Sequence, residues 1–600
     1  MSRLPDSEWQ KAVSFPDWKG EPDNSLAMNS MIGFLGYHGQ GTLWLDVAPE
    51  VKSFELYINT DAYDTASWGP GAHRVDYSAS AIDGVNSLQI TNIRPRGLKN
   101  AITVYIPYPT VIEGDFASSG IRPEAMQLVN DLIASDIAQG FPSAQLAIIR
   151  NGRLVYENAW GKLNSYHPNG TPNENSLAVT TDTLYDLASV TKMASANLAL
   201  QKLATDGKLD VNARVVDILG TAFAEDAIEI HFAGYPYPGL DTVKAWKANL
   251  TVRDVLCHQA GFPADPQYHN ICFDAARRGY DPNAVNPLYS GSDHSMETRA
   301  NTFQMLCKTP LMYKPGTETV YSDADYILLG FIVEAIAGQR LDEYLRETFW
   351  QPMGLTRIAF NPLENGFAPS DCAATELNGN TRDGRISFPG IRDDTLQGQV
   401  HDEKAWYAMA GVSGHAGLFA CARDSAKLGA LMLTGGWGGH RFFSQTVIDL
   451  FTAPKSAEMS NWGLGWWRQG EDKRPWHFGT QAPSVTIGHQ GWTGTLLMID
   501  PSRQLVIAYL TNKINSPVEK DSKAIRFSGS DYTAATLGFV PQILSIGMDT
   551  DRDVTAQLVS LLSDMAAESR KLIPEGAEDS HPTVLNAKSK EAVLSKWLRK

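Results

Sequence analysis

Two pairs of short apolar runs, one early and one late, constrain the fold of this chain most. Ala144-Gln-Leu-Ala-Ile-Ile-Arg150 and Arg153-Leu-Val-Tyr156 flank Asn151-Gly152, and Asn-Gly between apolar runs is a strong hairpin signal. The late pair occupies 495–500 and 504–511. Helical spacing begins at Pro123-Glu-Ala-Met-Gln-Leu-Val-Asn-Asp-Leu-Ile133 and returns near 192–207 and 325–337. Strands first, helices in the middle and strands last predict an α+β sandwich closed by both ends of the segment.

The region before this segment reads as all-β. Gly41–Val47, Ser53–Asn59, Ser87–Ile93 and Ala101–Ile106 alternate or run apolar over strand lengths, with turn residues between them. The chain of 600 residues exceeds the roughly 300 at which single cores stop growing. The expected division is a β-sandwich over 1–118, a main domain over 119–515, and a C-terminal helical extension over 516–600 packed on the main domain. Within that extension a helix is expected from about 553 to 572. Two stretches, Pro263 to Thr302 and Pro362 to Gln399, are rich in turn residues and read as long loops.

Charge excludes one function class. The formal net charge of −16 makes nucleic acid an unsuitable partner, because phosphate binding needs a basic face. The five cysteines, Cys257, Cys272, Cys307, Cys372 and Cys421, include no C-x-x-C pair and are expected to be mostly buried thiols. The start, Met1-Ser-Arg-Leu-Pro-Asp-Ser-Glu, lacks a signal-peptide apolar core. No run reaches the roughly 18 apolar residues of a transmembrane segment.

Three motifs carry chemistry. The first is Ser189-Val-Thr-Lys192, the one S-x-x-K in the chain, set between a strand-like run and a helix. Residues three apart share a helix face, so Lys192 can reach the Ser189 hydroxyl, a weak nucleophile until a base takes its proton. The second is Tyr321-Ser-Asp323, ahead of a helical run. Nearby cations would ease loss of the Tyr321 phenolic proton, making it a candidate base, and Asp323 could contact Lys192 or substrate. The third is His489-Gln490-Gly491, leading into a strand. The glycine admits close approach, and the histidine could donate to a substrate carboxylate or to the tyrosine. His401-Asp-Glu403 lacks helical H-x-x-x-H spacing, so no metal and no cofactor is expected.

These motifs in this order resemble the penicillin-recognising serine hydrolases, in the branch of class C β-lactamases, D-alanyl-D-alanine carboxypeptidases and β-lactamase-fold esterases. The flanks Leu250-Thr-Val-Arg-Asp-Val-Leu-Cys-His-Gln-Ala-Gly261, Val400-His-Asp-Glu403 and Gly414-His-Ala-Gly-Leu-Phe419 agree, and the last two resemble the carboxypeptidase group. The resemblance implies a β-lactamase-like domain of antiparallel sheet, flanking helices and a helical region, with the site between them. It implies Ser189 as nucleophile, and Lys192 and Tyr321 sharing proton transfer. His489 takes the third-motif position, and the oxyanion hole comes from the backbone N–H groups of Ser189 and Trp492. Asp323, Gln490 and Gly491 would bind substrate. Two departures matter: Asp323 stands where asparagine is usual, and His489 where lysine is usual, so the positive charge there becomes pH-dependent. Both disfavour efficient β-lactam hydrolysis.

The expected function is therefore acyl-enzyme hydrolysis of a small-molecule or peptide substrate: a D-amino-acid peptide, an ester or a β-lactam. A carboxypeptidase leads, an esterase is the alternative, and a catalytically weak cell-wall-binding protein is the third reading. The N-terminal region resembles the jelly-roll domains appended to glycosidases, through Tyr57-Ile-Asn59, Gly69-Pro-Gly71 and Asn86–Ile90. A spacer role is preferred there over glycan contact through Trp44, Tyr57 and Tyr63. Family habit points to the cell envelope or secretion, whereas the polar start points to the cytoplasm.

Overall fold

The structure, a computed structural model, describes residues 4–16, 31–471, 474–519, 524–548 and 553–599. Met1–Arg3 of the polar start lie outside these residues.

The early and late runs meet as expected. Ser143–Arg150 pairs antiparallel with Arg153–Gly161 on one side and with Leu505–Thr511 on the other. Asn151 and Gly152 both have positive φ, 48° and 66°, as a two-residue hairpin turn that follows strand twist requires. Thr495–Asp500, Ile487–Gly491 and the short Trp467–Arg468 continue the sheet outward. Ser143–Arg150 is buried along nearly its whole length because both sheet faces are covered. Helix Ala422–Thr434 lies on one face, where a Cβ at Gly429 would meet Val506, Leu497 and Ile499. Helices Pro123–Ala138 and Phe539–Gly547 share the apolar core of the other face. The rest of the chain between the strands forms a mainly helical region with its own large core. This is the expected α+β arrangement.

The N-terminal region is a sandwich of two four-stranded antiparallel sheets built from strands between Lys11 and Ile106. Four of its eight strands, Lys11–Phe15, Met31–Gly36, Asp61–Tyr63 and Gly71–Asp76, escape the alternation rule because their exposed or half-buried residues blur it. Trp44, Tyr57 and Tyr63 are half-buried. The sandwich docks on the hairpin turn: Tyr37 donates to Gln504 Oε1 at 2.8 Å, and its ring fills the space that a side chain at Gly152 would need.

Both long loops are largely irregular, but Met296–Lys308 is helical, so the first loop ends sooner than its composition suggests. The five cysteines are free, and all but Cys272 are buried. Among the described residues no helix is long and apolar enough to cross a membrane. Helices Val554–Lys571 and Pro582–Trp597 close the chain. The second is pinned to Pro123–Ala138 by a buried pair, Lys590 Nζ to Asp136 Oδ1 at 3.2 Å, and Ser589 and the Ala534 amide also donate to Asp136. Removing one partner of such a pair costs about 3–5 kcal/mol. Lys590→Ala should therefore lower the apparent Tm by several degrees. Lys596→Ala, which breaks a more exposed pair with Asp131, should change stability by less than about 1 kcal/mol.

Candidate active site

The nucleophile segment is held by hydrogen bonds before any chemistry is considered. Tyr185–Asp186 pairs with Leu418–Ala420, the end of the Gly414–Phe419 flank. Ala188 then adopts φ 45°, a left-handed conformation that costs a non-glycine residue on the order of 1–3 kcal/mol. The neighbours enforce it. Ala188 N–H donates to Asp186 Oδ1 at 2.9 Å, and Thr493 and Thr495 donate to the carbonyls of Asp186 and Leu187, each at 2.8 Å. The tight turn presents Ser189 immediately before a helical turn, Val190–Lys192, followed by a π-bulge at Met193–Asn197 and α-helix over Leu198–Thr205.

Lys192 is fully buried, and its Nζ donates to Ser189 Oγ at 2.9 Å, Asp323 Oδ1 at 2.8 Å and the His415 carbonyl at 3.2 Å. It also lies 4.8 Å from the centre of the Tyr321 ring. Burial pushes the ammonium towards deprotonation, but Asp323 and Tyr321 outweigh it and leave Lys192 above its ordinary pKa. Burial would raise the Asp323 carboxyl, yet Lys192, Lys404 and His415 hold it well below the usual carboxylate range. Asp323 is the first residue of helix Asp323–Ala337, capped by Ser322, where the helix dipole favours negative charge.

Tyr321 differs from expectation. Burial raises its phenol above the ordinary value. The nearby Lys192 ammonium and hydrogen bonds with Lys192 and Ser189 pull it down by less, and Asp323 raises it further. Burial outweighs the cation, and the cation's counter-ion adds to the rise.

His489 also departs from expectation. It is buried, its Nδ1–H donates to the Gln490 carbonyl at 2.7 Å, and among the described residues Nε2 has no hydrogen-bond partner. Burial first, and then Lys192, hold it well below the ordinary histidine range, so it is neutral rather than a pH-dependent cation. Its ring centre lies 6.1 Å from that of Tyr321 and 4.4 Å from that of Trp467. Gln490 is half-buried, in contact with His477. A Cβ at Gly491 would lie 2.3 Å from the Leu187 carbonyl and 3.1 Å from Ala188 Cβ. Glycine is therefore required for the 491–495 turn to reach the nucleophile segment. Trp492, half exposed, stacks on His401 at 4.9 Å and lies beneath Arg382 at 5.2 Å, and Arg382 is held by Glu376 and Glu403.

Sequence reasoning missed three groups here. Lys404 bridges Asp323 Oδ2 at 3.3 Å and Asp265 Oδ1 at 2.8 Å, tying the 263–302 loop to the site. Asp402 receives His415 Nε2 at 2.8 Å, and His415 Nδ1 meets the fully buried Ser413 at 2.7 Å. The flanks containing these residues were visible, but not their convergence. Asp323, Asp402 and His415 bring ligand-type atoms within 4.8 Å of one another, and two ammonium groups already compensate their charge. The third group is Arg474, stacked at 4.7 Å over Trp467 and 5.0 Å over Trp462. It donates to the Asn461 carbonyl, and among the described residues no carboxylate acts on it.

The Beta-lactamase family model matches residues 128–528. The chain is 42% identical over 435 residues to the Escherichia coli (strain K12) protein described as "Putative D-alanyl-D-alanine carboxypeptidase", covering 72% of this chain and 93% of that one. The Salmonella schwarzengrund (strain CVM19633) protein of the same description is 41% identical over 438 residues, covering 72% and 94%. A solved penicillin-binding protein homolog from Caulobacter crescentus aligns with a TM-score of 0.46 at 19% identity, over 71% of this chain and 98% of that one.

The charge arrangement fixes a pH dependence. If the Lys192–Tyr321 pair accepts the Ser189 proton, it must first lose one of its own, so with Lys192 raised kcat/KM should rise with pH. Asp323→Asn removes the carboxylate that raises Lys192 and leaves the burial that lowers it. The rising limb should therefore move to lower pH, read from kcat/KM profiles of both enzymes; an unmoved limb would contradict this account.

Proposed function

This chain belongs to the beta-lactamase family, and we propose that it is a serine hydrolase of D-alanyl-D-alanine-type peptides, working as a carboxypeptidase. The observation that carries the reading is the 2.9 Å contact between buried Lys192 and Ser189, with Asp323 and Tyr321 converging on the same ammonium. The names of relatives matched over nine-tenths of their length support the substrate class.

Ser189 Oγ attacks the carbonyl carbon while its proton passes to the deprotonated member of the Lys192–Tyr321 pair. The backbone N–H groups of Ser189 and Trp492 receive the oxyanion; such donors contribute about 2.7–4 kcal/mol each. The tetrahedral species collapses, the C–N bond breaks, and the stored proton goes to the departing D-alanine nitrogen. Water then adds to the acyl-enzyme by the same relay, and the Ser189 ester bond breaks.

His489 is neutral, so a substrate carboxylate needs another cation. Arg474, stacked on Trp467, whose ring in turn neighbours His489, is the candidate. Gln490 and Gly491 border the same strand and would contact the peptide. We further propose an N-terminal spacer over 1–118, a catalytic domain over 119–515, an extension over 516–600, and an envelope location where wall peptides occur.

The neutral third-motif histidine also favours a second reading, an esterase acting on uncharged acyl groups. Two substrates separate them: D-alanine release from a stem peptide, and hydrolysis of a nitrophenyl ester. Ser189→Ala should abolish both while leaving the thermal transition in place. Arg474→Ala should raise KM for the peptide by about tenfold, the worth of one charge-assisted hydrogen bond, and leave the ester within about twofold. Ester turnover without D-alanine release would select the esterase.

A further inference from the structure

Tyr321 lies outside regular structure, two residues ahead of helix Asp323–Ala337. One residue outside the three motifs grips it from two directions. His258 follows helix Val252–Leu256 and takes φ 53°. Its carbonyl accepts from Val320 N–H at 2.9 Å, and its Nδ1 accepts from Ser322 N–H at 3.3 Å. These are the two amides that flank Tyr321. The imidazole packs against the phenol ring itself, centre to centre 4.5 Å at 36°.

His258 is positioned in turn. Asp325, buried in the first turn of the following helix, approaches Nδ1 at 2.7 Å through Oδ2. Burial, and then the nearby Asp323, raise the Asp325 carboxyl well above the carboxylate range. Burial, and then Lys192, push His258 down to about 3. Both shifts favour the uncharged forms of this pair. A neutral pair can brace the tyrosine without adding a charge beside Lys192. With His258 itself only 1% exposed, its action on substrate must pass through another group.

We propose that His258 is the positioning residue of Tyr321, clamping both flanking amides and the ring so that the phenol meets Ser189. The proposal rests on the reading of Tyr321 as a proton-transfer partner. Misplacing a reacting group by about 1 Å can cost on the order of 100-fold in rate. The function is distinct from packing, because it predicts loss only where Tyr321 is present to be positioned.

The test uses the full chain and a nitrophenyl ester, with Tyr321→Phe, His258→Leu, His258→Asn and the His258→Leu/Tyr321→Phe double variant. Asparagine tolerates positive φ and offers an oxygen near the Nδ1 position for Ser322. His258→Leu should lower kcat about 100-fold with KM within about threefold. His258→Asn should recover most of that loss. In the Tyr321→Phe background His258→Leu should cost less than about threefold more, as coupled neighbours do. Should His258→Leu lose its cooperative thermal transition, His258→Gln replaces it, since its amide reaches past the Nδ1 position. An unchanged kcat in His258→Leu or its replacement beside an inactive Tyr321→Phe overturns this proposal alone. So does an asparagine variant no better than leucine, or a double variant in which the two losses multiply in full. A Tyr321→Phe enzyme with wild-type kcat overturns the underlying reading of Tyr321 and this proposal with it.

Discussion

The Lys192 ammonium is fully buried, and the Asp323 carboxylate 2.8 Å away makes that burial tolerable. Moving a cation out of water costs several kcal/mol even after relaxation. The compensation is assembled from distant parts of the chain: Asp323 at a helix start, the His415 carbonyl, and Ser189 three residues back. Asp323 is then itself a half-buried anion that pairs with more than one cation, which accounts for Lys404, and Lys404 in turn draws in Asp265 from the long loop. The order of the site follows from closing this charge ledger pair by pair.

That ledger also explains why aspartate stands where the family's motif usually has asparagine. Asparagine would offer a neutral amide and leave Lys192 more readily deprotonated. Aspartate holds the proton on the lysine, and it adds to the burial that keeps Tyr321 neutral. The resting state is thus one proton away from the reactive one.

Geometry around the nucleophile is set by contacts that carry no charge. Ala188 is held in a left-handed conformation by Asp186 and by two threonine hydroxyls from the turn beyond Gly491. The same contacts bring that turn, with Trp492, against the nucleophile segment, because Gly491 has no Cβ to collide with Leu187 and Ala188. Strain at one residue and close approach at another are two consequences of one arrangement, in which a sheet edge and a helix start meet end to end.

Much of this was legible in the amino-acid sequence because it is local. Asn151-Gly152 specifies a hairpin through its own φ preferences, and Ser189-x-x-Lys192 puts both groups on one helix face through helical spacing alone. The early and late strands pair because each is too apolar to be left exposed. Tertiary structure decided what depends on burial and on neighbours far away in the chain. The Lys192–Asp323 pair spans 131 residues; Lys404 and Arg474 belong to no motif that spacing could reveal, and the flank that holds His258 does not show what His258 grips. Whether His489 is charged and which way Tyr321 shifts are questions of desolvation against Coulomb attraction. Both terms are set by what packs around a group rather than by what precedes and follows it, so the sequence named the reacting groups and the fold assigned their protons.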